Sequence, residues 1–289
     1  RPSLGLTPSP SALVCSSPKS RAGQFLRRCA VNTYLKATLL GLALFLATIL
    51  VIESSGTLWA NAENAPPSTN LPIPTGPEFK LGAHLYQRDC ASCHGAAGDG
   101  LGALADTNDL LKPRNFRVEP FRFVSTKSGI PTRSDLIKTI QGGIPAAGMP
   151  PTLECSSSEV EALADYVWAL YQMGVGKEKF AGEPIAIPSS LDNGSAILGK
   201  ELFLTHCSAC HGKDGTAQNA AEFPDFLGRL SKPRDLSDGS FHGGNTDEDL
   251  YFRIRCGLPG TVMPGFSEEQ LTDSQVCDLI AFIRELSRN

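Results

Sequence analysis

The sequence predicts a mainly α protein, with two similar domains in tandem behind an N-terminal membrane segment. Three observations carry that expectation. The string C-x-x-C-H occurs twice, as Cys90-Ala-Ser-Cys93-His94 and Cys207-Ser-Ala-Cys210-His211. Around each copy the chain repeats itself. Before both lies one uncharged apolar run, residues 37–52. The 289 residues leave room for two ordinary domains, and 41% hydrophobic content is enough for packed cores.

Residues 1–33, rich in Ser, Pro and Arg, read as an unstructured cytoplasmic leader. Residues 34–62 read as a transmembrane anchor or a signal peptide. Arg21, Arg27, Arg28 and Lys36 precede the apolar run and Glu53 follows it, so the positive-inside rule exports everything after Ile52. Trp59 suits a membrane interface in a retained anchor. Ala60-Asn61-Ala62 resembles a cleavage site, and cutting there would release a soluble periplasmic protein. Residues 63–77 form a Pro-rich spacer expected to be extended. Charge divides at the same place. Residues 1–62 hold six Lys/Arg and one Asp/Glu, whereas residues 63–289 hold 20 and 29. An acidic exported part argues against nucleic-acid binding and suits a partner with a basic docking face.

The repeat assigns the remaining elements. Asp135 to Pro150 aligns without a gap on Asp249 to Pro264, and Lys112-Pro-Arg114 matches Lys232-Pro-Arg234. Each unit opens with a short helix, Leu81–Tyr86 and Leu198–Phe203. Each closes with an amphipathic one, Val160–Tyr171 and Val276–Leu286, behind capping boxes at Ser156/Glu159 and Thr272/Gln275. The units span residues 78–175 and 191–289, and residues 176–190, within a stretch rich in Gly, Lys, Glu and Pro, read as a linker.

C-x-x-C-H is the attachment signature of c-type haem. Two thiols on one helical turn add to the vinyl groups of one porphyrin, and the adjacent histidine faces the iron. The expected cofactors are two covalently attached haem c groups. They would be bound by Cys90, Cys93 and His94 and by Cys207, Cys210 and His211. Five cysteines remain, and the three in the exported part are Cys155, Cys256 and Cys277. Cys256 and Cys277 either bridge or are buried free thiols.

Each unit resembles a small class I cytochrome c domain, in which a helix ending in the haem motif is followed by a middle helix, a methionine loop and a C-terminal helix. The resemblance covers residues 78–289. It implies that Gly82 and Tyr86 pack on Tyr166, and Gly199 and Phe203 on Phe282. It also implies iron ligation by His94 with Met149 and by His211 with Met263. These methionines stand 55 and 52 residues after their histidines, each followed by proline. Met173 reads as packing. His84, His206 or His242 in the distal role would instead make a bis-histidine haem. Arg114 and Arg234, at equal places in the repeat, are candidates to pair with haem propionates, or are solvated loop arginines.

A haem held on both faces by protein ligands exchanges single electrons and has no open site for substrate. The expected role is electron transfer without catalysis, in a carrier or in the cytochrome c subunit of a respiratory complex. Membrane-anchored dihaem subunits of cbb3-type oxidases have a similar layout. The expected partners are redox proteins or such a complex, with the haems on the periplasmic side. The alternative is a dihaem peroxidase with one open haem site.

Overall fold

Helix α1, Lys80–Asp89, buries Gly82, Leu85 and Tyr86, the i, i+3, i+4 face of an amphipathic helix. Residues 71–105, 112–176 and 179–288 are described in the computed structural model. One turn after α1, α2 (Ala91–His94) carries the first Cys/His motif. α3, Arg133–Gly142, starts at a capping box between Thr132 and Asp135. A 3₁₀ turn, Pro145–Ala147, leads into the Met149 loop. α4, Ser157–Val175, closes the first domain from the expected Ser156/Glu159 box.

The second domain repeats the order. α5 (Ala196–His206) runs into α6 (Ser208–His211). A short antiparallel hairpin follows, β1 (Phe223–Pro224) with β2 (Leu230–Ser231), pairing Phe223 with Ser231. α7, Asp247–Cys256, is capped by Thr246 and Asp249. α8, Asp273–Leu286, is capped by Thr272 and Gln275 as expected. The Thr132 and Thr246 boxes carry aspartate at the third helical position, where the familiar pattern has Glu or Gln.

First and last helices cross at a glycine in both domains. A Cβ on Gly82 would lie 2.2 Å from the Ala162 carbonyl oxygen, and one on Gly199 would overlap the Asp278 carbonyl. Beside each crossing an aromatic pair packs at 5.2 Å, Tyr86 with Tyr166 and Phe203 with Phe282. Each domain therefore has its own core, the first around Leu85, Leu163 and Leu170, the second around Leu271, Leu279 and Ile280.

The two domains are fastened together. Arg122 pairs with Asp225 at 3.1 Å, Lys127 with Glu268 at 3.3 Å, Lys138 with Asp249, and Arg229 with the buried Glu119. Arg253 lies over the Phe123 ring at 5.1 Å, and Cys256 packs on the first core. The segment between the domains is bonded to both. Ala181 N–H donates to Pro131 O at 3.0 Å, Ile185 N–H to Ser125 O at 2.8 Å, and the Tyr251 hydroxyl to Ala186 O at 3.3 Å. Phe180 stacks on Trp168 at 4.3 Å. At the other end Arg117 holds Pro72 O, so the last part of the Pro-rich spacer lies against the first domain.

Three expectations need comment. Cys256 and Cys277 are free thiols, not a bridge, and Cys256 packs on the other domain's core. Met173 is 46% exposed and does not pack in the core, because it follows the last fully buried turn of α4. The apolar run 37–52, with the leader and possible anchor, lies outside the described residues. Among those described, no helix is long and apolar enough to cross a membrane.

Candidate haem sites

Both Cys/His motifs sit at a helix-to-turn junction that aims the histidine inward. His94 Nδ1 is 3.1 Å from Arg114 O, and His211 Nδ1 is 2.9 Å from Arg234 O. A carbonyl partner fixes the proton on Nδ1 and leaves Nε2 as the free ligand nitrogen. Burial lowers the pKa of both rings, against the opposing effect of these bonds, and so favours the neutral form that binds metal. Phe116 stacks on His94 at 4.6 Å and holds its plane.

The methionine loops are built alike. Ile144 N–H donates to Met149 O at 2.8 Å, and Leu258 N–H to Met263 O at 3.2 Å. The loop crosses itself at a glycine with positive φ, 62° at Gly143 and 66° at Gly257. A Cβ there would meet Pro150 C at 2.5 Å or Pro264 C at 2.6 Å, so only glycine lets each loop return past the helix end.

In the first domain these parts line one cavity of about 850 Å³. Cys90, Cys93 and His94 stand among its lining residues, with Met149, Leu136, Ile140 and Phe121. Burial, with help from nearby acidic groups, pushes Cys90 up to about 12, and burial pushes Cys207 up to about 11. Reactive redox and metal-binding cysteines are instead held as thiolates by positive surroundings. Among the described residues no cluster of three or more His, Cys, Asp or Glu could hold a metal ion directly. Cavity, paired cysteines and an inward histidine together fit a haem c group.

Arg114 is largely buried, whereas Arg234 is part-exposed, and the two differ in partners. Each donates to a carbonyl six residues on, Pro120 O at 2.9 Å and Ser240 O at 2.9 Å. Arg114 also pairs with the fully buried Glu119 at 3.0 Å, and burial lowers its pKa to about 10. Arg234 pairs with Asp238 nearer the surface. Of the other histidines, His84 and His206 are exposed, the latter against Phe266. His242, on the second domain, lines the first domain's cavity together with Leu258. In the sequence it is a candidate for its own domain's iron, and only the docking of the domains reveals its place.

Fold and site define a c-type cytochrome with two domains, and comparisons with known proteins agree. The cytochrome c family model matches residues 196–287, and the model of cytochrome c oxidase, cbb3-type, subunit III matches residues 77–167. The chain belongs to the c-type cytochromes and is built from two cytochrome c domains. It is 24% identical over 211 residues to the cbb3-type cytochrome c oxidase subunit CcoP of Rhodobacter capsulatus. It is 25% identical over 212 residues to the subunit FixPc of Rhizobium leguminosarum bv. viciae. These matches take in 71% and 72% of the chain but only 61% and 62% of those relatives. Among solved structures, a chain of the Kuenenia stuttgartiensis reducing HAO-like protein complex Kustc0457/Kustc0458 superposes with a TM-score of 0.65. It is 31% identical, and the match covers 75% of this chain and 99% of that one.

Proposed function

We propose that the chain relays single electrons between two covalently attached haems. His94 with Met149 would hold the first iron, and His211 with Met263 the second. Bound haem would supply a one-electron couple, and a methionine sulfur at its iron would raise the potential. The protein's own part is to fix geometry and exclude water. The carbonyls of Arg114 and Arg234 orient the histidines, and Gly143 and Gly257 let the methionine loops close.

The observation that carries this reading is the duplicated methionine loop, with the same cross-bond and the same obligatory glycine in both domains. Leu258, from the Met263 loop, also lines the first cavity, which supports a route between the sites. The similarity to cbb3 oxidase subunits supports a place in a respiratory complex, with the haem domains on the exported face. Anchoring or cleavage after Ala62 belongs to the same proposal.

Mass spectrometry of natively matured protein tests attachment, with two added macrocycles expected. Near-infrared spectroscopy tests ligation. A methionine–iron charge-transfer band from both haems is expected, with no high-spin signal and slow reaction of the reduced protein with carbon monoxide. Rapid carbon monoxide binding at one haem would instead favour a peroxidase-type site.

A further inference from the structure

The first cavity is lined by Arg114 and Arg122 from the first domain and by His242 from the second, and the Arg122 charge acts on both of the others. Two of these residues carry an unmatched buried polar atom, a guanidinium N–H and an imidazole nitrogen. Arg122 Nε and His242 Nε2 have no hydrogen-bond partner among the described residues. A buried donor left unsatisfied is costly, so the Arg122 N–H calls for an acceptor, and the His242 ring can offer a second N–H to the same acceptor in its Nε2–H tautomer. The charges there agree. Arg114, Arg122 and Arg229 face two carboxylates, Glu119 and Asp225, which leaves one positive charge unbalanced. The loop carrying His242 is held in place by α7, since Arg253 Nε donates to His242 O at 2.9 Å and the same side chain covers Phe123 of the first domain.

We propose that Arg122 and His242 together bind a propionate of the first haem, so that the second domain completes the first domain's cofactor site. Propionates are the only anionic substituents of the macrocycle, and two donors among cationic residues lining its cavity suit a carboxylate. The inference rests on the dihaem reading. It places the propionate contact on Arg122 and His242, whereas Arg114 is already engaged with Glu119 and Pro120 O. Both are positioning residues and touch no iron.

The test uses the full-length holoprotein with His242→Phe, His242→Gln and Arg122→Leu. Haem content is read by mass. Each midpoint is read by potentiometric titration, with the first haem identified by the drop that Met149→His gives it. Propionate hydrogen bonding is read from the carboxylate bands in redox-difference infrared spectra. Losing a donor leaves more negative charge near the iron and favours the ferric state. His242→Phe and Arg122→Leu are expected to lower the first haem's reduction equilibrium about three- to tenfold, where tenfold is about 59 mV for one electron. The carboxylate band should shift, the second haem should keep its midpoint, and Gln at 242 should recover part of the change. Equal shifts in both haems, unchanged carboxylate bands, or Gln behaving like Phe would overturn the proposal. Wild-type protein with fewer than two macrocycles would overturn the dihaem reading itself, and mass alone distinguishes that failure.

Discussion

Gly82 and Gly199 each occupy a point where two helix backbones nearly touch, and no side chain fits there. Valine at either position must push the helices apart. The expected cost is about 1–3 kcal/mol for overpacking, or roughly 2–4 °C of melting temperature per kcal/mol. Calorimetry of the holoprotein checks this. Met149 and Met263 make a second expectation at this scale. Met149→Ala should open one haem to rapid carbon monoxide binding while the other stays slow, as read by flash photolysis. These residues were legible in the sequence because the repeat shows each of them twice. Arg122 and His242 were not: they stand at equal places in the repeat, as Phe121-Arg122 and Phe241-His242, but their residue types differ and their meaning arises only where the domains meet.

The hairpin β1–β2 has no equivalent among the described residues of the first domain, and it presents Asp225 to Arg122 and Arg229. Asp225 is 5% exposed and also accepts from the backbone N–H groups of Leu227 and Arg229, both at 3.0 Å. Removing one partner of a buried ion pair costs about 3–5 kcal/mol, and partial exposure of Arg229 reduces that. Asp225→Asn is expected to destabilise the protein by about 2–3 kcal/mol, measured by urea denaturation. Helices were readable from apolar period and capping residues. The hairpin was not, because two-residue strands carry no alternation to detect.

Across the molecule, Asp225 and Asp249 link stability to pH. Burial works to raise both carboxyls, but Arg229 holds Asp225 low, and Lys138, with the Thr246 cap, holds Asp249 low. A depressed folded pKa contributes stability above the ordinary value, about 4, and loses it as pH falls through the folded value. Stability should therefore fall steeply below about pH 4, and the fall should flatten in an Asp225→Asn, Asp249→Asn double variant, as followed by thermal melts across pH. The tandem architecture was readable from the repeat. The domain docking was not, because its ion pairs join residues such as Arg122 and Asp225 that lie 103 positions apart.

The strap from Phe180 to Ala186 carries one more consequence. A two-centre wire on a loose tether must wait for its halves to diffuse into contact, so its internal hop slows in thick solvent. Here both halves are held by Trp168, Pro131, Ser125 and Tyr251. Internal hopping, timed by laser-triggered reduction, is expected to be indifferent to added glycerol.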